Sequence, residues 1–140
     1  MSPEILERKL ADLRHFLADF EAYRDATLAD VLKHHYTVER IFSLLVVSAS
    51  KIVSHLLMTR EIYPHSYRNS FQLAAAEGLL SADLTARLLN AAEMRENITW
   101  QYDSIDYAKL HAAIPLALDD FSEFVAIFAA RAFGIPEDTQ

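Results

Sequence analysis

An all-helical bundle is the fold this sequence predicts, and three observations predict it. Two glycines and four prolines are too few to punctuate 140 residues of sandwich or barrel. Apolar residues recur at steps of three and four along most of the chain. Hydrophobic residues make up 52% and charged residues 24%, which excludes disorder and supplies a core for a single domain over residues 1–140.

Ser2 and Pro3 form an N-cap and first-turn pair, and Leu6, Leu10, Leu13, Leu17 and Phe20 follow as one narrow apolar stripe. The opposite face mixes Glu7, Arg14 and Glu21, which suits bundle packing rather than a membrane surface. From about Leu28 to Thr59 there is no Gly or Pro, and Val38, Ile41, Leu45, Ile52 and Leu56 keep a helical period. One long central helix is expected there. Its small residues around Ser48 to Ser50 would let a neighbouring helix approach closely, and homodimerisation through this or the next long helix is expected. Pro64 ends the pattern, and a short helix spans about Ser66 to Glu77, closed by Gly78. Ser81 caps the next helix, with Leu84, Leu88 and Ala91 facing inward. Asp106 caps the last, which runs to about Phe133, bends at Pro115 and stops at Gly134 and Pro136. The expected fold is an antiparallel bundle of four main helices plus one short one.

The chain has no cysteine, which removes disulfides, thiolate metal sites and cysteine nucleophiles. Its opening residues lack the apolar core of a signal peptide, and its apolar runs read as too short or interrupted to span a bilayer. A soluble, cytoplasmic protein is expected. The net charge of −7 gives no global field to attract nucleic acid, so any RNA contact is local. Two glycines cannot build a phosphate loop, and none of the six histidines falls in a metal-binding spacing. His35 and Glu39 stand four apart, a pairing common on helix surfaces. No metal or cofactor is expected.

The segment from Arg95 to Tyr102 is more informative, because it sets the only Trp and a Tyr close to an Arg at a helix end. Seven residues nearly close two turns, so Arg95 and Tyr102 share a face if the helix extends that far, with Trp100 roughly 140° from Arg95. On these residues alone two readings stand. Trp100 and Tyr102 anchor the bundle end while Arg95 makes a surface ion pair, or the three residues form a site.

The order of motifs around this segment resembles the HepT-like branch of the HEPN superfamily, helical ribonuclease toxins of bacterial type VII toxin–antitoxin pairs. Glu39 and Arg40 open an aliphatic-rich helix; Pro64, Tyr67 and Phe71 follow, then Gly78, Leu79 and Leu80, then Arg95, Trp100 and Tyr102, with Asp106 in the next turn. The resemblance runs from about residue 36 to residue 125. It implies a HEPN fold, a homodimer with two motifs facing each other, and RNA cleavage without metal by an Arg and a His of an R-x4-H-x-Y motif. Arg supplies a permanently charged fork for the phosphate, and His exchanges protons near neutral pH. The resemblance also implies an antitoxin partner, a nucleotidyltransferase of the MNT type, which adenylylates the motif Tyr, here Tyr102. The added phosphate would repel RNA from the site.

Trp100 stands where the family carries the His. An indole N–H donates a hydrogen bond but accepts none and has no usable pKa, so Trp100 cannot act as general acid or base. No histidine lies nearby in sequence to replace it, and Glu96 occupies a position where Asn is common in the family. Three functions are compatible with this departure. The chain is a ribonuclease toxin with weak cleavage, in which Trp100 stacks an RNA base; or a non-catalytic HEPN dimer that keeps its partner surface; or a helical dimer with a scaffold role.

Overall fold

The computed structural model describes residues 2–101 and 103–132, and the helical bundle is observed. The helices are α1 (Pro3–Glu21), α2 (Leu28–Lys33), α3 (His35–Met58), α4 (Tyr67–Ala76), α5 (Ala82–Trp100) and α6 (Tyr107–Ala132). Helix α1 lies against α3 and α6, α5 packs on both α3 and α6, and short α4 bridges α3 and α5. Six fully buried phenylalanines, Phe20, Phe42, Phe71, Phe121, Phe124 and Phe128, anchor the core.

Local chemistry sets most helix starts. Side-chain oxygens of Ser2, Ser66, Ser81 and Asp106 accept the backbone N–H three residues on, at 3.3, 2.9, 3.1 and 3.0 Å. Gly78 follows α4 with φ of +75°, where an L side chain is strained. A Cβ there would meet nothing within 4 Å, so the strain is purely conformational. Gly78→Ala is expected to lower stability by about 1 kcal/mol, read as a lower urea midpoint at unchanged slope.

The central helix departs from expectation, since it is broken at His34. Thr27 and Asp30 form a reciprocal capping box that starts α2, and His34 (φ −112°, ψ 29°) ends it and precedes α3. The break lets α2 lie on α6 with Val31 fully buried. Within α3, Ile41 and Leu56 are only partly buried, while Val38, Leu45 and Ile52 are in the core.

A second departure concerns the small residues proposed for a dimer. Ala49 and Ser50 are buried within the chain, and Ser50 Oγ lies 2.7 Å from Ser70 Oγ of α4. The close approach that these two permit is used by α4, while Ser48 is only partly buried. Third, α3 is long and apolar enough to cross a membrane, with a mean hydropathy of 1.8. Its buried face, from Val38 to Leu57, packs instead on the other helices.

Helix α6 continues through Pro115, although proline supplies no N–H for the carbonyl of His111. The expected stop at Gly134 and Pro136 lies outside the described residues. The His35–Glu39 pair is joined by Tyr107, whose hydroxyl donates to Glu39 Oε2 at 2.7 Å while His35 Nδ1 lies 2.8 Å from the same oxygen. Burial, then the bond to Glu39, pushes the Tyr107 phenol up to about 12. This cluster ties the start of α3 to the start of α6.

Candidate functional site

A cleft of about 640 Å³ opens between one face of α3 and one face of α5. Helix α3 contributes Lys51, Ser54, His55 and Met58, which recur at helical spacing on one side. Helix α5 contributes Ala92, Arg95, Glu96 and Trp100 at the same kind of spacing. The Pro64–Tyr67 segment closes the third side with His65. The volume falls within the roughly 300–1,000 Å³ usual for small-ligand sites.

The third side is held by its own hydrogen bonds. Glu61, in the left-handed region at φ 61°, turns the chain after α3, and the Ile62 N–H returns to the Leu57 carbonyl at 3.0 Å. Arg60 reaches the end of α4 through the Glu77 carboxylate and carbonyl, each at 3.2 Å. The His65 N–H donates to Asn69 Oδ1 at 3.2 Å. Under the cleft, Ser70 Oγ donates to the Tyr67 carbonyl at 2.6 Å. These contacts fix where Tyr67 and His65 enter the site.

The Arg95 guanidinium sits 4.5 Å from the centre of the Tyr67 ring, a cation–π contact that orients the fork. Its Nε is buried without a hydrogen-bond partner among the described residues, and no described carboxylate pairs with it. The surface ion pair that the packing reading assigned to Arg95 is therefore not formed. The packing reading fails for Trp100 as well, because this residue is 78% exposed at the last position of α5. An aromatic that packed the bundle end would be buried; this one stands at the cleft rim.

Glu96 is compensated. Arg68 of α4 grips it with two bonds, Nε to Oε1 at 3.3 Å and a terminal nitrogen to Oε2 at 3.2 Å, and the pairing raises the Arg68 pKa. The cleft thus presents Lys51 and Arg95 against one carboxylate that already has its own cation. A local positive site is built on a chain of net charge −7.

The structure places Arg95 and Trp100 in one cleft, as the motif order suggested. Tyr102, and with it the face drawn for it and Arg95, lies outside the described residues; α5 ends at Trp100, and its cap Gln101 has φ −123° and ψ 41°. Sequence reasoning missed His55 and His65. Both reach the cleft from tens of residues upstream, so the statement that no histidine lies nearby holds only along the chain. Desolvation, then the charge of Lys9, lowers the His55 pKa and favours its neutral form.

Solved structures that share this fold include proteins of toxin–antitoxin complexes. The chain is similar to a tri-AMPylated Shewanella oneidensis HEPN toxin in complex with MNT antitoxin, with 19% identity over 90% of this chain and 97% of that one, and a TM-score of 0.80. It is similar to a protein of the MntA–HpeT toxin–antitoxin pair carrying a tyrosine-to-alanine substitution, at 19% identity, 91% and 98% coverage and a TM-score of 0.75. A toxin–antitoxin structure with AMP-PNP matches at 17% identity, 89% and 97% coverage and a TM-score of 0.71. No curated protein matches. The family model of the HepT-like ribonucleases aligns with residues 5–127, and with nearly the whole described bundle inside that match, the chain belongs to the HepT-like ribonuclease family.

Proposed function

We propose that this chain is the toxin component of a bacterial type VII toxin–antitoxin pair: a metal-independent RNA endonuclease fold whose R-x4-W-x-Y motif leaves cleavage weak. The observation that carries this reading is the convergence of Arg95, Lys51 and exposed Trp100 on one cleft. Arg95 and Lys51 attract and position a backbone phosphate, and Trp100 offers an indole face to an unstacked base. Base–aromatic stacking of this kind contributes about 1–3 kcal/mol per base. What the cleft lacks at the motif position is a proton acceptor.

A cytoplasmic homodimer and an MNT-type nucleotidyltransferase antitoxin belong to the same reading, with Tyr102 as the residue that receives AMP. Support comes from the fold's likeness to a toxin that is itself AMPylated and bound to an MNT antitoxin. A second reading, a non-catalytic HEPN dimer that binds the nucleotidyltransferase, is favoured by Trp100 itself, which offers no acid or base. RNA cleavage separates the two: the toxin reading expects slow cutting that depends on Arg95, and the second expects none.

The partner claims have their own test. Co-expression with an MNT-type nucleotidyltransferase is expected to give a single AMP adduct series on Tyr102 by mass spectrometry, and an adduct confined to Tyr107 would remove that assignment. Light scattering is expected to give twice the 15.9 kDa chain mass. A monomer mass would remove the dimer.

A further inference from the structure

We propose that His55 of α3 and His65 of the segment before α4 form a proton-transfer pair in the Arg95 cleft, standing in for the motif His that Trp100 replaces. This inference rests on the RNA-cleft reading above. Three observations carry it. Both imidazoles line the same cleft as Arg95, from two different sides of it. Both are exposed, and among the described residues neither has a hydrogen-bond or ion-pair partner for its ring, so both rings are available to a ligand. The cleft also holds the cation needed to seat a phosphate between them, since Arg95 makes no described ion pair.

The step balances without a cofactor. His55, neutral, accepts the proton of a ribose 2′-hydroxyl as that oxygen bonds to the adjacent phosphorus. His65, protonated, donates to the 5′-oxygen as the P–O bond to it breaks. The products are a 2′,3′-cyclic phosphate and a free 5′-hydroxyl, with His55 protonated and His65 neutral at the end. Arg95 and Lys51 hold the non-bridging oxygens, whose charge grows in the transition state. The assignment of base and acid follows the surroundings. His55 loses part of its hydration and faces Lys51 on its own helix, Lys9 of α1, and Arg95 with the Arg68-paired Glu96 across the cleft. This mostly positive setting favours the neutral ring. His65 sits beside Ser66 and Tyr67 on the opposite edge.

The test uses the full chain on a single-stranded RNA oligonucleotide, with cleavage read from the cyclic-phosphate product and binding read separately from Trp100 fluorescence. His55→Gln and His65→Gln are each expected to lower the residual cleavage rate by about 10²-fold, while RNA affinity stays within a few-fold. The unmodified chain is expected to lose rate as pH falls through a value below 6.5, and His55→Gln removes that limb. Because both side chains are exposed, neither substitution should disturb folding, and an unchanged circular dichroism melt confirms it. RNA binding with cleavage indifferent to both substitutions, or with no cleavage at all, overturns the histidine pair and leaves the RNA cleft standing. Failure of the unmodified chain to bind RNA overturns both.

Discussion

Trp100→His is expected to raise RNA cleavage by about 10²- to 10⁴-fold over the unmodified chain, the range that one positioned acid or base contributes. The substitution is favourable structurally as well as chemically. Trp100 is 78% exposed, so removing the indole opens no cavity and should not unfold the bundle. The position lies at the last residue of α5, five residues beyond Arg95 on the same cleft wall. A histidine there meets a phosphate already seated by Arg95. The expected gain is in turnover, with RNA affinity unchanged or slightly reduced by loss of the stacking surface. Initial rates on a defined RNA measure it. An unchanged rate in a folded Trp100→His protein would mean that this position is not where proton transfer occurs.

Arg95→Ala, made in the Trp100→His background, is expected to remove about 10²- to 10³-fold of that cleavage, the usual cost of losing one preorganised donor to a developing oxyanion. Arg95→Lys should recover part of it, because the charge returns but the planar two-pronged fork does not. The order Arg, Lys, Ala is the expected ranking, read from rates at saturating RNA. Tyr67 supplies a control. Its ring lies under the guanidinium at 4.5 Å, so Tyr67→Ala should loosen Arg95 and lower the rate less than Arg95→Ala does. Robust cleavage that survives Arg95→Ala would sink the assignment of the site.

Helix starts were legible in the sequence because a capping side chain bonds a backbone only three residues away. Ser2, Ser81 and Asp106 cap as read, and Ser66, read only as the start of a helix, caps in the same way. The break at His34 was not, since no Gly or Pro marks it. It follows from the Thr27–Asp30 box and from burial of Val31 against α6, a contact made across the fold. The same limit applied to Ser50, whose partner Ser70 stands on another helix.

The candidate site was half legible. Arg95 and Trp100 lie on one helix, and the order of motifs pointed to them together. The packing alternative failed because burial of an aromatic depends on what lies opposite it, and nothing in the sequence says that Trp100 faces an open cleft. His55 and His65 carried no local signal. The packing of α3 on α5 brings His55 to Arg95, and the segment before α4, which bridges the two helices, brings His65.

The only tryptophan of the chain stands at the rim of the cleft, so its fluorescence tests the proposed entry of RNA directly. Titration with single-stranded RNA is expected to quench Trp100 saturably, to weaken as salt rises, and to be lost in Arg95→Ala. An emission that RNA leaves unchanged, or quenching that survives Arg95→Ala at undiminished affinity, would contradict an RNA site centred on Arg95.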